Sequence, residues 1–332
     1  MTRVVIHIGT EKTGTTSVQH FFDQNRAKLK ELGVLYPHVG PRKDAHFDLV
    51  NELHPLDNNG KYMEFLPKPT TDIGFYWGQL RQRIEDNPEK TVFLSAEHFS
   101  SRLRDKALEY MSAFFSSLGI EPEILVFLRP QDEFLESTYS TAIKSGSSQS
   151  FEQMIENYQA QILRYDYEQL LALWSRYFGK HHIKVMRYQT SEGEERDVRK
   201  RILNYLSVKE SETLDFSQSK SLNVKWGRDM LEFARLCNLN IKPRLGNKRL
   251  LFLETCSNKL PAKPNERLLT FEQREAIEKY FSASNSQVAM DYLGLDTLFV
   301  EREPVKIDES TPARPLLTKL SLIEMLAEEM GF

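Results

Sequence analysis

The sequence predicts an α/β domain with a central parallel sheet and helices on both of its faces. Several short segments are almost wholly apolar, as expected of parallel strands that are buried on both faces. Helix-period patterns separate these segments, and alternation of strands with helices is typical of parallel sheets. A glycine-containing loop directly follows the first apolar segment. With 332 residues, of which 40% are hydrophobic, the chain has enough apolar material for a sizeable core.

The composition excludes several broad classes of protein. Lys and Arg total 44 against 47 Asp and Glu, a net charge of −3, which disfavours a basic nucleic-acid-binding surface and an acidic disordered tail. The two cysteines, Cys237 and Cys256, cannot form a disulfide framework and indicate a reducing compartment. Apolar runs are far shorter than the ~20 residues that span a bilayer, and Met1–Ile6 has no signal-peptide core. We therefore expect a cytoplasmic protein without a transmembrane segment or a nucleic-acid partner.

Four segments have the composition of buried strands. They are short, apolar and rich in β-branched or aromatic residues: Val4–Ile8, Thr91–Ser95, Ile124–Leu128 and Ile183–Tyr188. A helix is predicted after the first strand, ending at Gly33, and another over Leu170–Phe178, ending at Gly179. The first helix is predicted from apolar residues at three-, four- and seven-residue spacings: Val18, Phe21, Phe22, Leu29 and Leu32.

The remaining segments complete the predicted organisation. Residues 37–78 are rich in Pro, Gly, Asn and Asp and are expected to be mostly loop, whereas the charge alternation of Glu192–Arg201 predicts a solvated helix face. The α/β domain is predicted to cover residues 1–300. Residues 301–332 are expected to form a connector and a C-terminal amphipathic helix that docks on its own domain or contacts a partner such as a second copy. One helical stripe would carry Leu316, Leu320, Ile323, Ala327 and Met330.

The loop that follows the first strand is a candidate anion site. Gly9 and Gly14 are five residues apart, as in a nucleotide-binding P-loop. The Walker motif nevertheless requires Gly-Lys-Ser/Thr, whereas here the lysine, Lys12, precedes Gly14. A cation and several hydroxyls lie around a helix start, where free N–H groups and the helix dipole favour anions. The hydroxyls are those of Thr13, Thr15, Thr16 and Ser17. The alternative is a turn without a binding role.

The segment Lys12–Thr16 resembles the 5′-phosphosulfate-binding loop of sulfotransferases that use 3′-phosphoadenylyl sulfate (PAPS). The wider segment His7–Thr16, together with Gly33–Pro37, is similar to bacterial members of that family. The resemblance implies a P-loop-like nucleotide-binding fold in a single α/β domain. It also implies that Lys12, Thr13, Gly14, Thr15, Thr16 and Ser17 bind PAPS, with Lys12 stabilising the leaving phosphate.

The resemblance implies a second anion site at the end of the third predicted strand. The family binds the 3′-phosphate of PAPS with an arginine at a strand end and a serine eight positions later, and Arg129 and Ser137 have this spacing. A guanidinium suits phosphate because it donates paired, charge-assisted hydrogen bonds. Alternatively, Arg129 forms an ion pair with Asp132 or Glu133, and Ser137 is an ordinary helix residue.

Tyr188 matches a family tyrosine that helps to hold the adenosine. An acidic residue often follows that tyrosine in the family, whereas Gln189 stands here. A packing role is the alternative for Tyr188.

The acid–base group is expected at the end of the second predicted strand. Relatives use a histidine or a glutamate there, and this chain has both, Glu97 and His98. Adjacent side chains diverge, so we expect one of them to face the acceptor, with Glu97 slightly favoured. His46, in the loop-rich segment, is a third candidate, although an ordinary loop histidine is the more common case. No metal site is expected, since no HExxH or paired CxxC motif occurs.

These features predict a PAPS-dependent sulfotransferase. The sulfuryl group would pass directly, in line, to a hydroxyl of a small-molecule or glycan acceptor, with a carbohydrate or glycolipid as the leading class. A P-loop kinase that uses ATP and Mg²⁺ is disfavoured by the missing Gly-Lys-Ser/Thr sequence. A catalytically silent nucleotide-binding protein on the same fold is the other alternative.

Overall fold

The computed structural model describes residues 2–42, 44–54, 72–88, 90–156, 162–191, 193–217, 225–240, 249–258, 260–262 and 266–299. The strands are β1 (Val4–His7), β2 (Val34–Leu35), β3 (Thr91–Ser95), β4 (Glu123–Leu128) and β5 (Ile183–Arg187). The helices up to β5 are α1 (Thr15–Gln24), α2 (Arg26–Glu31), α3 (Phe47–Leu53), α4 (Phe75–Glu85), α5 (His98–Arg102), α6 (Asp105–Ser116), α7 (Gln131–Lys144), α8 (Phe151–Glu156), α9 (Ile162–Tyr165) and α10 (Tyr167–Phe178). After β5 follow α11 (Val198–Tyr205), α12 (Arg228–Asn240), α13 (Arg249–Ser257) and α14 (Phe271–Leu293).

The five strands form one parallel sheet in the order β2-β3-β1-β4-β5. This confirms the predicted α/β class with a central parallel sheet flanked by helices. Because β1 lies between β3 and β4, the chain first builds the sheet on one side of β1 and then continues on the other side. The carboxyl ends of β1 and β4 therefore border the point where the strand order reverses, which is where open α/β sheets bind ligands.

Both faces of the sheet are covered by apolar helix faces. On one face, Val5, Phe93 and Phe127 pack in one cluster with Phe22 of α1 and Ile202 of α11. All five side chains are fully buried. Helix α10 packs against α6 and against β4 and β5. Burial on both faces explains why the central strands are continuous apolar runs.

The chain divides into two compact units. The first contains residues 1–130, 161–222 and 281–300 and holds the whole sheet. The second contains residues 131–160 and 223–280, including α7, α8, α12 and α13. Within the second unit, Tyr139, Met230 and Leu253 form an apolar cluster that also includes Cys237 and Cys256, which form no disulfide.

Four predicted strands correspond to β1, β3, β4 and β5, but three details of the prediction were wrong. The first helix is interrupted at Asn25, whose side-chain amide donates to the Phe21 carbonyl at 2.9 Å. The segment 37–78 is less loop-like than expected, since it contains α3 and the start of α4. Its residues 55–71 lie outside the described residues.

The third difference concerns Glu192–Arg201, where α11 begins only at Val198. Asp197 caps this helix by accepting a hydrogen bond from the Arg199 amide at 2.9 Å. Before the cap, the Glu194 carboxylate accepts from the Ser191 amide at 2.8 Å, a side-chain contact that competes with helix formation. The predicted connector and amphipathic helix at 301–332 lie outside the described residues, so the domain boundary near residue 300 stays a prediction.

No helix in the described part of the chain is long and apolar enough to cross a membrane.

Candidate active site

Four of the residues singled out in the sequence follow the carboxyl ends of parallel strands. Lys12 lies in the loop after β1, Glu97 after β3, Arg129 after β4 and Tyr188 after β5. Parallel strands end at a common edge, so their following loops meet there. The candidate site is built on this edge, within the first unit.

The loop after β1 is fixed to β4 by its own polar groups. The Thr10 amide and the Thr10 hydroxyl both donate to the Phe127 carbonyl at 3.0 Å, and the Phe127 amide donates to Gly9 O at 2.7 Å. The Thr13 hydroxyl is fully buried and donates to the Thr10 carbonyl at 2.6 Å. The Thr13 side chain therefore shapes the loop, and any contact of Thr13 with a ligand must use its main chain.

Three loop residues have left-handed backbone conformations, with φ of 102° at Gly9, 65° at Lys12 and 81° at Gly14. A Cβ at Gly9 would lie 3.1 Å from both Cα and Cβ of Glu97, so glycine allows the loop to approach the end of β3 closely. Lys12 adopts this conformation without being glycine, which costs about 1 kcal/mol or more. Strained residues of this kind cluster at ligand-binding sites.

Helix α1 presents an open N-terminus at this edge. Gly14 is its N-cap, no side chain caps it, and its first turn contains no acidic residue. The first intrahelical bond runs from the Val18 amide to the Gly14 carbonyl at 3.1 Å. Within the described residues, the amides of Thr15, Thr16 and Ser17 have no backbone or side-chain acceptor. Such N–H groups and the positive end of the helix dipole form an anion site.

The hydroxyl-bearing residues predicted at the start of α1 lie partly in the protein interior and partly on its surface. Thr15 is 4% exposed, whereas Thr16 and Ser17 are exposed on the helix surface. None of the three hydroxyls donates to a described residue, so their predicted contact with PAPS stays a prediction.

Arg129 lies directly against the loop of Lys12. Its Nη1 donates to the Lys12 carbonyl at 2.8 Å, and its Cζ lies 5.3 Å from the centre of the Tyr188 ring. Tyr188 is held by its own amide, which donates to Leu128 O at 2.6 Å. Its Cε2 is 3.7 Å from the position of a Cβ on Gly14. The structure thus brings Lys12, Gly14, Arg129 and Tyr188 together.

The Lys12 ammonium is partly withdrawn from water. Burial lowers the pKa of Lys12, and the neighbouring Glu11 carboxylate opposes that effect. Arg129 and Arg164 lower the pKa further because they are like charges. A second anion brought to this place would relieve this repulsion among cations.

Ser137 lies in α7, as the sequence predicts, but it belongs to the second unit. Its predicted role beside Arg129 stays a prediction. Within the second unit, Asp132 is fully buried and pairs with Arg267 at 2.6 Å. Arg267 also binds Glu136 at 2.9 Å, so one cation pairs with two carboxylates of this helix.

Glu97 is the better placed of the two candidate bases. It is half-buried, and its Oε2 accepts a hydrogen bond at 2.7 Å from Nε2 of Gln19, a buried residue of α1. Burial raises the pKa of Glu97, while the Gln19 hydrogen bond lowers it. A carboxylate that is oriented and has a raised pKa is a stronger general base than a solvated one.

The two histidines that the sequence offered are less accessible. His98 is 8% exposed, its ring contacts Phe47 edge-on at 4.7 Å, and burial lowers its pKa to about 4. His46 is 1% exposed and uses both ring nitrogens within the fold. Its Nδ1 accepts from the Ser95 amide at 3.0 Å, and its Nε2 donates to the Pro37 carbonyl at 2.9 Å. His46 therefore fastens its loop to β3 and is not available as a base.

Sequence reasoning missed two polar partners in this site. Gln19 lies on the buried face of α1, and a polar residue within an apolar stripe was the signal that could have identified it. Arg164 of α9 pairs with Glu11 of the loop. These two residues are 153 positions apart, and no sequence signal joins them. No group of three or more His, Cys, Asp or Glu residues in the described ranges could hold a metal ion.

Comparison with known proteins finds similarity among solved structures. No family model matches the chain, and no curated protein matches it. The chain is similar to the crystal structure of a sulfotransferase from Alicyclobacillus acidocaldarius, with 13% sequence identity and a TM-score of 0.42. The similarity covers 87% of this chain and 95% of that chain.

Proposed function

We propose that this protein is a sulfotransferase that moves the sulfuryl group of PAPS to an acceptor hydroxyl. The observation that carries the proposal is the 2.8 Å hydrogen bond from Arg129 to the Lys12 carbonyl. This contact places two cations and the open N-terminus of α1 at one edge of the sheet. A donor with a phosphosulfate at one end and a 3′-phosphate at the other needs two neighbouring anion sites, and Tyr188 adds an aromatic surface for the adenosine.

The chemistry is a direct in-line transfer. The acceptor oxygen forms a bond to sulfur while the bond between sulfur and the bridging phosphate oxygen breaks, and the products are a sulfate ester and 3′,5′-ADP. Glu97 accepts the proton of the acceptor hydroxyl. Lys12 and the N–H groups of α1 stabilise the charge that develops on the leaving phosphate.

The acceptor is proposed as a class of compound and not as one molecule. A carbohydrate or glycolipid hydroxyl is the leading acceptor, and the support for it is the resemblance of His7–Thr16 and Gly33–Pro37 to bacterial sulfotransferases. A homo-oligomer formed through residues 316–330 is kept as part of the proposal, to be tested by the mass of the protein in solution.

Thermal unfolding with two nucleotides tests the donor. In EDTA, 3′,5′-ADP should raise the Tm, since a ligand at 100 times its Kd stabilises the folded state by about 2.7 kcal/mol. ATP with Mg²⁺ should have little effect. The reverse ranking would favour a kinase.

Transfer itself is then measured with sulfur-labelled PAPS. Label that passes from PAPS to an acceptor hydroxyl supports the proposed activity. Binding of 3′,5′-ADP without any transfer would leave a catalytically silent nucleotide-binding protein.

A further inference from the structure

On the helix that follows the candidate base lies an arginine, Arg102, with no counter-charge among the described residues. Arg102 is four residues after His98 on α5, so the two side chains share a helix face. Arg102 is half-buried, and its Nε is buried without a hydrogen-bond partner. Within the described ranges it forms no ion pair. The adjacent Ser101 hydroxyl is also buried without a partner there.

Other cations nearby are already compensated. Arg164 lies on α9, which packs against α5, and it pairs with Glu11. Arg42 contacts Asp44 at 3.4 Å and lies 4.5 Å from the centre of the Phe47 ring, which in turn meets His98. Arg102 thus differs from these two arginines in having no described carboxylate beside it.

A half-buried guanidinium without an anion is unfavourable because it has lost water without gaining a partner. Its planar group of five donors suits a carboxylate, phosphate or sulfate. A helix dipole is a simpler explanation for an arginine in the last turn of α5. However, α5 has only five residues, and the dipole provides no acceptor for the buried Nε and Ser101 Oγ.

The order of the strands separates this arginine from the proposed donor site. Lys12 follows β1 and Arg129 follows β4, whereas α5 follows β3, which lies on the opposite side of β1 from β4. Across the edge of the sheet, the order is therefore Arg129, Lys12, then Glu97 with Arg102. Since Glu97 is the proposed base, Arg102 lies on the acceptor side.

We infer that the acceptor carries an anionic group and that Arg102, assisted by the Ser101 hydroxyl, binds it while Glu97 receives the proton of the reacting hydroxyl. This inference rests on the proposed sulfotransferase function. It narrows the acceptor from carbohydrates in general to acidic ones, such as sugars with a carboxylate.

Two matched acceptor mixtures test the inference. One is a neutral oligosaccharide mixture, and the other is the same mixture after oxidation of C6 hydroxymethyl groups to carboxylates. With labelled PAPS, kcat/KM should be at least tenfold higher for the oxidised mixture. Arg102→Gln should lower the ratio of kcat/KM for the oxidised mixture to kcat/KM for the neutral mixture at least tenfold. It should leave kcat/KM for the neutral mixture within about twofold of the wild-type value. Arg102→Lys should retain part of the preference, since it keeps the charge.

Binding measurements separate the possible failures. The affinity for 3′,5′-ADP should be the same in wild type and Arg102→Gln; a loss of nucleotide affinity in the variant would move Arg102 to the donor site and overturn the inference. Arg83→Gln, which removes an exposed arginine of α4, is the charge-matched control. If only the Tm falls and the acceptor preference stays, Arg102 is purely structural.

A final measurement covers the case in which neither mixture is labelled. The oxidised mixture should still bind to the protein saturated with 3′,5′-ADP, and this binding should be lost in Arg102→Gln. Absence of binding, or equal transfer to both mixtures, overturns the inference about the acceptor. Failure of wild type to bind 3′,5′-ADP overturns the proposed function itself.

Discussion

The buried histidine at the end of β1 makes the stability of the protein depend on pH. His7 is fully buried between the rings of Phe93 and Phe127, with centroid distances of 6.2 and 5.7 Å, and its Nδ1 lies 2.9 Å from the Ser95 hydroxyl. Burial lowers the pKa of His7 from 6.5 to about 3. The unfolded chain therefore takes up a proton at this residue before the folded protein does, and stability falls as the pH drops below 6.5.

The magnitude follows from the two pKa values. Between pH 7.5 and pH 5.0, the unfolded state gains about 2 kcal/mol from protonation of His7, because one pKa unit corresponds to about 1.4 kcal/mol. The result hardly depends on the folded-state value, since a folded pKa near 3 leaves the residue neutral at both pH values. Burial acts in the same direction on His46 and His98 but raises the pKa of Glu97, which has the opposite effect on stability. A comparison of variants is therefore needed to isolate His7.

Urea unfolding of wild type and His7→Gln at the two pH values measures this contribution. The glutamine retains a polar group for Ser95 and does not titrate. Wild type should lose about 2 kcal/mol more stability than His7→Gln between pH 7.5 and pH 5.0. Val4→Ala, a buried and non-titrating change in the same strand, should keep the wild-type pH dependence while lowering stability at both pH values. Equal losses in wild type and His7→Gln would refute the reasoning.

Five further variants test the site. Gly9→Ala places a Cβ 3.1 Å from Glu97 at a φ of 102°, and it should cost about 2 kcal/mol in urea unfolding and lower turnover. Arg129→Ala should weaken 3′,5′-ADP at least about tenfold in calorimetry but 5′-AMP much less, since a charged hydrogen bond contributes about 1.5–3 kcal/mol; equal losses would separate Arg129 from the 3′-phosphate. Glu97→Gln should abolish turnover with nucleotide affinity retained, whereas His98→Asn should retain activity; the opposite pattern would make His98 the base. Gln19→Leu removes a hydrogen bond that lowers the pKa of Glu97, so the acidic limb of kcat/KM should move to higher pH, and an unmoved limb would exclude the pairing.

The parts of the fold that were predictable are those in which burial dictates composition. β1, β3 and β4 are buried on both faces, so their sequences are nearly continuous apolar runs. The edge strand β5 instead alternates, with Ile183 and Val185 buried and Lys184 exposed. β2 consists of Val34 and Leu35 alone, and two residues carry no periodicity. The interruption at Asn25 was also unpredictable, because its side chain accepts from the Asp215 amide at 2.9 Å, a contact that only the folded chain creates.

The same distinction applies to the site. Lys12 was identifiable from the cation and hydroxyls in the loop after the first strand, whereas Glu97, Arg129 and Tyr188 were identified through the resemblance to sulfotransferases. Each of the four follows a strand, and parallel strands end at one edge. The hydrogen-bond partners of the candidate residues could not be identified from the sequence. His46 is an example: whether a loop histidine is a base or a structural residue depends on the atoms that reach its two ring nitrogens, and these come from Ser95 and Pro37.

The hydroxyls of the loop after β1 include two that bond within the fold, whereas the sequence suggested that the hydroxyls contact a ligand. The Thr10 and Thr13 hydroxyls are consumed in fixing the loop, while Thr16 and Ser17 are exposed on α1. The left-handed conformation of this loop at Lys12 is thus supported by hydrogen bonds within the fold. The free amides of α1 are consequently oriented before an anion arrives, so binding does not have to order the loop first. The affinity for the donor should therefore come mainly from the main chain, Lys12 and Arg129, with the threonine hydroxyls acting through the shape of the loop.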